Sequence, residues 1–301
     1  MTFILPIERV GEEDRAQVGG KAFALASLWK AGFTVPKALC ITTDVYDRYV
    51  SSTGLRERIL MEIHRKAFTD MRWEEMWDAS LRIRNMFVST PLPKPLKDTL
   101  GDIIDASFKK YPVAVRSSAP GEDSDRASFA GLHESYVNVR GPSVILEHVL
   151  KVWSSLWSDA ALLYRKELGL DPEKSTMAVV IQEMVFGDRS GVAFCRSPMD
   201  PSQAVIESVY GLNQGLVDGA VEPDRWVLDR ISGKILSHTN PRRDLWVVPA
   251  QDGAVLEDLP TKKAPHPPLN DEEVEEVYRT AMALEKHFGS PQDVEWTFRE
   301  G

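Results

Sequence analysis

The residues that could do chemistry in this chain are single polar groups set into apolar runs. Lys21 follows two glycines in VGGK, Arg116 emerges from VAVRSS, Gln182 and Glu183 break MAVVIQEMV, and Glu207 breaks AVIESVYG. Asp293 and Glu295 alternate with Val294 and Trp296 in QDVEWTF, which puts both carboxylates on one face of a strand. An ammonium at a glycine-rich helix start, a guanidinium beside serine hydroxyls and paired carboxylates are groups that bind phosphate and its metal. Each also has an ordinary reading. Lys21 could be a solvated lysine, and Arg116 could pair with Glu122, Asp123 or Asp125. Gln182, Glu183 and Glu207 could belong to a core polar network, and Asp293 and Glu295 to the wet side of a half-exposed strand.

VGGK is not a Walker motif. The G-x-x-x-x-G-K-[ST] spacing is absent, and Ala22 stands where a magnesium-binding hydroxyl would be. What remains is a helix dipole, glycines that permit close approach, backbone N–H groups and one ammonium.

The elements that must position these groups can be read from periodicity. GGKAFALASLWKAG predicts a helix with Ala22, Leu25, Leu28 and Trp29 at helical spacing and Gly32 just past its end. VPKALCITT and VAVRSS predict strands, the second running into a polar loop, SSAPGEDSDRASFAG. Residues 44 to 110 and 142 to 170 read as largely helical. MAVVIQEMV predicts a strand buried on both faces, followed by strands in SGVAFCRSP and AVIESVYG. RWVLDRISGKILSHT predicts a hairpin turning at Ser232 and Gly233. The prolines of 260 to 268 predict a surface connection. Asn270 with Glu273 predicts a capping box on a helix with Val274, Val277, Ala281 and Leu284 on one face and Gly289 at its end.

With 301 residues, 43% of them apolar, the chain can bury a substantial core in two domains or one two-lobed unit. A formal charge of −9 argues against a general nucleic-acid binder, so phosphate chemistry must come from a few placed cations. Cys40 and Cys195 are the only cysteines and form no C-x-x-C unit, so neither a disulfide nor a zinc framework is expected. No apolar run is long enough to span a bilayer and no export signal is seen, so a cytoplasmic setting is expected.

Taken together and in this order, VGGKAFALASLWKAGFTVPKALCITTDVY, VAVRSSAPGEDSDRASFAGLHESYVNV, MAVVIQEMVFGDRSGVAFCRSP, VIESVYGLNQGLVDGAVEPDRWVLD and PQDVEW resemble the N-terminal ATP-binding domain of phosphoenolpyruvate synthase and pyruvate phosphate dikinase. The resemblance implies an α+β fold of the divergent ATP-grasp type, two lobes with a nucleotide cleft between them. Residues 1–184 would form the N-terminal lobe, with a helical insert near 44–110, and residues 185–301 the C-terminal lobe. By matching position it implies that Lys21 and Arg116 bind ATP phosphates and that the Gly131 to Ser135 loop closes over them. Gln182, Glu183 and Val185 would line the adenine pocket, and Glu295, with Asp293, would bind Mg²⁺.

The implied function is use of ATP and magnesium to phosphorylate a histidine on a separate domain, from which the phosphoryl group passes to pyruvate in a barrel domain. Two alternatives are the same half-reaction for another acceptor, of the antibiotic or phenol phosphotransferase type, and a non-catalytic nucleotide-binding module. None of His64, His133, His148, His238, His266 and His287 lies in a stretch resembling the family's Gly-rich Ser-His motif. The chain departs from the family pattern at Leu132, where a polar amide is usual, and at Asn213 and Gln214, where Gly and Glu are frequent. The family continues past Glu295 and Trp296 into a strand resembling Leu-Gln-x-Arg. That strand is expected to be missing from an excised fragment or split subunit ending at Gly301, with weakened ATP binding and little phosphoryl transfer by the chain alone.

Overall fold

The computed structural model describes residues 3–120, 123–124, 127–128 and 132–299. The chain divides into two compact units, Met1–Met184 and Val185–Gly301, each built on its own five-stranded sheet. The fold is a mixture of α and β elements in which every strand pair is antiparallel.

In the first unit the elements run β1 (Ile4–Pro6), α1 (Arg15–Lys30), β2 (Ala38–Ile41), α2 (Thr43–Ser52), α3 (Leu55–Ile63), α4 (Trp73–Ser89) and α5 (Lys94–Phe108). Then follow β3 (Val113–Ser118), a small ribbon of β4 (Asp123–Ser124) and β5 (Ala127–Ser128), β6 (Ser135–Val139), α6 (Pro142–Ser155), α7 (Asp159–Glu167) and β7 (Ala178–Glu183). The sheet order is β1-β2-β7-β3-β6. Residues 178 to 182 are all buried, as a central strand covered on both faces requires. One face, through Leu39, Ile41, Val113, Val115, Val179 and Ile181, packs on α2 to α7 in the larger core. At its centre Trp153 is fully buried and satisfies its indole by donating to the Met177 carbonyl at 3.1 Å. Truncating such a side chain typically costs about 3–5 kcal/mol.

The opposite face, through Ala38, Cys40, Ala178 and Val180, packs on Val18, Ala22 and Ala26 of α1. Trp29, grouped with the buried face from spacing alone, is 45% exposed. Small residues take its place because α1 lies close on the sheet, where only Ala and Val fit. Gly32, with φ +85°, follows the helix end as expected.

The second unit contains β8 (Arg189–Phe194), β9 (Gln203–Tyr210), α8 (Gln214–Val217), β10 (Asp224–Asp229), β11 (Ile235–Thr239), β12 (Leu245–Pro249), β13 (Ala254–Asp258), α9 (Asp271–Phe288) and β14 (Asp293–Phe298). The main sheet is ordered β11-β10-β9-β8-β14. The hairpin between β10 and β11 turns at Gly233, φ +72°. α9 crosses one face, burying Val274, Val277, Ala281 and Leu284, against Ala193, Ile206, Trp226 and Leu228, with Val294, Trp296 and Phe298 at the margin. Its capping box is formed: the Glu273 N–H donates to Asn270 Oδ1 and the Asn270 N–H to Glu273 Oε2, both at 2.9 Å. Arg189 ties β8 to the same helix start, donating to Glu273 at 2.6 Å and to the Pro268 carbonyl at 3.0 Å.

A buried ion cluster lies at the β10–β11 end. Asp224, 1% exposed, accepts from Arg243 through both carboxylate oxygens and meets His238 Nε2 at 2.7 Å, while His238 stacks on Trp226 with centroids 4.3 Å apart. Cys40 and Cys195 are free and buried, and burial raises both thiols above their ordinary range. Among the described residues no helix is long and apolar enough to cross a membrane.

Candidate functional site

In the first unit the positioning begins at Gly19. Its φ of +75° interrupts α1, so that a fresh helical run starts at Gly20 and places Lys21 in its first turn. A Cβ at residue 19 would meet the Ser118 carbonyl oxygen at 2.0 Å, so only glycine allows the corner to close on the end of β3. The closure is held by hydrogen bonds: the Ala22 N–H donates to Ser118 Oγ at 3.0 Å, Ser118 Oγ donates to the Val18 carbonyl at 2.7 Å, and the Gly20 N–H reaches the Ala119 carbonyl at 3.4 Å. The helix start is thus partly capped from within. Fewer of its backbone donors are open to an anion than VGGK suggests.

Arg116 is paired in register with Val180 and Ser135, and Gln182 with Ala38 and Ala114. Directly opposed residues share a face, and residues two apart on a strand do too. Arg116, Ser135 and Gln182 therefore lie on the α1 side of the sheet. Glu183 falls on the other face, in register with Val113, and its backbone N–H donates to the Lys37 carbonyl at 2.8 Å. The structure brings Arg116, Ser135 and Gln182 together and separates Glu183 from them. Gly131, and the side chains of the acidic residues 122, 123 and 125, lie outside the described residues.

The ring nitrogens of His133 are shut off from solvent, which no local sequence pattern announces. Burial first, then the charges of Arg165 and Lys21, push its imidazole down to about 3 against an opposing hydrogen bond with the Ser155 backbone, so the ring is neutral beside Lys21. The next residue, Glu134, accepts from Arg84 at 2.6 Å and donates its N–H to Ser155 Oγ at 3.1 Å, which fixes the loop entering β6. Arg165, 5% exposed, is lowered to about 10 by burial and donates to the Leu156 carbonyl at 2.7 Å.

In the second unit, Glu295 pairs with Val192, Val192 with Glu207, and Glu207 with Arg225. The row runs across β14, β8, β9 and β10 on the face that α9 does not cover, and Asp293 lies two residues along from Glu295. β14 is exposed at Asp293, Glu295 and Thr297 and half-buried at Val294, Trp296 and Phe298, which is the alternation read from the sequence. Desolvation raises the Asp293 carboxyl above its ordinary value. Val185 opens the unit and is 36% exposed.

Among the described residues no group of three or more His, Cys, Asp or Glu side chains is assembled as a metal cage. Paired carboxylates on an open face suit Mg²⁺ nonetheless. That ion keeps several waters and is usually held by one or two carboxylates plus substrate phosphates.

Comparison with known proteins gives these groups a common context. The profile of the family described as "Pyruvate phosphate dikinase, AMP/ATP-binding domain" matches residues 15–301. The chain is 36% identical to the phosphoenolpyruvate synthase of Aeropyrum pernix, over 97% of this chain and 40% of that protein. It is 31% identical to a probable phosphoenolpyruvate synthase of Methanocaldococcus jannaschii, over 100% of this chain and 26% of that one. A rifampicin phosphotransferase of Streptomyces sviceus is 33% identical over 98% of this chain and 34% of its own length. The chain thus spans well under half the length of these relatives. It belongs to the family of pyruvate phosphate dikinase AMP/ATP-binding domains.

Proposed function

We propose that the chain binds Mg–ATP in the divergent ATP-grasp manner, each unit carrying its own set of nucleotide-binding groups. From the first unit, Lys21 and Arg116 take phosphate oxygens, Ser135 and the Gly131 loop close over them, and Gln182 meets the base. The backbone of Glu183 and Val185 completes the adenine contacts. From the second, Glu295, with Asp293, would hold the magnesium, and Glu207 is a further nucleotide contact. The observation that carries this reading is the cross-strand placement of Arg116 beside Ser135 on the sheet face against which α1, bearing Lys21, is packed.

Phosphoryl transfer asks a protein mainly for positioning and for charge to offset the phosphate oxygens. Lys21 and Arg116 provide two cations at fixed points, and neutral His133 leaves the Lys21 charge to the phosphates without adding a second cation beside it. Magnesium, held by Glu295 with Asp293, would supply further positive charge to offset the phosphate oxygens. The acceptor in this proposal is a histidine on a separate domain, whose imidazole nitrogen forms the P–N bond as the P–O bond to the departing nucleotide breaks. A pyruvate-directed barrel domain follows in sequence of transfer. The likeness to a rifampicin phosphotransferase favours a second reading of the last step only, with an antibiotic-type acceptor in place of pyruvate.

Calorimetry tests the first step. Mg–ATP is expected to bind, with affinity falling at least about tenfold for Lys21→Ala and the magnesium dependence lost for Glu295→Ala. Binding that ignores magnesium and is untouched by Glu295→Ala would support a non-catalytic nucleotide module instead. Supplying a histidine-bearing partner domain and looking for acid-labile phosphohistidine tests the second step.

A further inference from the structure

The sheet face of the second unit that α9 does not cover carries a cation that the nucleotide reading above leaves without a task. Arg225 on β10 is directly opposite Glu207, in the row that continues through Val192 to Glu295. Its nearest approach to Glu207 is 3.7 Å, Nε to Oε1, an ion pair too long to be a hydrogen bond. Arg225 Nε is shut off from solvent yet has no hydrogen-bond partner among the described residues, while the side chain as a whole is 43% exposed.

The structural arginines of the same unit behave differently. Arg243 is locked on Asp224, Arg230 donates to the Cys195 carbonyl and pairs with Glu285, and Arg189 donates to Glu273 and the Pro268 carbonyl. Arg225 alone among these four is engaged only loosely, and it points to the face where the acidic groups stand. An exposed pair of this kind is worth little, whereas a guanidinium on a phosphate oxygen makes charge-assisted bonds that can be bidentate.

Building on the Mg–ATP reading, we propose that Arg225 is a further phosphate-binding residue. Without nucleotide it balances Glu207. With Mg–ATP bound, Arg225 turns to an oxygen of the polyphosphate and keeps Glu207 within reach, so neither charge is left unpaired. A guanidinium bonds phosphate oxygens and has no such partner in a nucleoside, which makes Arg225 selective for the polyphosphate over bare adenosine.

Titration calorimetry of the whole chain with Mg–ATP and, separately, with adenosine tests this in the wild type, Arg225→Met, Arg225→Lys and Glu295→Ala. Arg225→Met is expected to weaken Mg–ATP about tenfold or more and to leave adenosine affinity and thermal midpoint unchanged, with Arg225→Lys recovering part of the loss. Unchanged Mg–ATP affinity in Arg225→Met, while Glu295→Ala abolishes the magnesium dependence, overturns the role of Arg225 and leaves the nucleotide reading standing. An equal loss for adenosine and Mg–ATP assigns Arg225 a structural role and also overturns it. A wild-type chain that does not bind Mg–ATP defeats both readings.

Discussion

His133 shows how one buried side chain can set a pH limit on the molecule. Its ring stays neutral down to about pH 3 in the folded chain, whereas an unfolded histidine takes up a proton near 6.5. Below about 6.5 the unfolded state therefore binds more protons than the folded one, and stability falls as pH falls until about 3 is reached. Between pH 8 and pH 5 this one group should cost about 2 kcal/mol. Urea unfolding at the two pH values is expected to show that loss in the wild type and a smaller loss in His133→Gln. Equal losses in the two proteins would show that the imidazole titrates freely in the fold. The signal for this residue was present in the chain, in LHES at the mouth of a strand, but its meaning depends on Arg165 and Lys21. Those partners lie on helices distant in sequence, and no local pattern announces the meeting.

At the scale of elements, most strands and helices are legible because their residues obey one period throughout. α9 is the clearest case: its capping box, apolar stripe and terminal glycine all point to the same helix, and all are found. The ribbon of β12 and β13 was not legible. Leu245, Val255 and Leu256 are exposed in it, so no alternation marks a buried side. Its placement depends on contacts with the end of β9, where the Leu212 N–H donates to the Val247 carbonyl at 2.8 Å.

The start of α1 was legible only in part. A helix starting at the two glycines was read, whereas the short helical run from Arg15 that Gly19 divides from it was not, and the break arises because the end of β3 passes within contact of the backbone there. Gly19→Ala should therefore cost about 2–4 kcal/mol, from the positive φ together with the displaced Ser118 carbonyl. Denaturant unfolding would register that loss, and calorimetry should show weaker Mg–ATP binding, since Lys21 is two residues further on. A variant that keeps wild-type stability would show that the corner can reopen without cost.

For the whole molecule, the division into two units means that unfolding need not be a single transition. A ligand that binds only the folded form at 100 times its dissociation constant adds about 2.7 kcal/mol. Scanning calorimetry is expected to find the transitions of both units raised by Mg–ATP. A shift confined to one unit would mean that the nucleotide is held by that unit alone. The carboxylate row could be read from β14, but its completion by Glu207 and Arg225 could not, because register across a sheet is set by long-range pairing.

The stacking of His238 on Trp226 gives the molecule an optical property. An imidazole lying flat against an indole is a quencher of its emission, and here both belong to the second unit, 7° from parallel. Trp226 should be dim while that unit is folded and brighten when the stack comes apart. Trp153, sealed in the larger core of the first unit, should instead emit toward the blue and redden on exposure. In a variant that keeps only Trp153 and Trp226 of the eight tryptophans, the two indoles would respond in opposite ways and report which unit opens first without any attached dye.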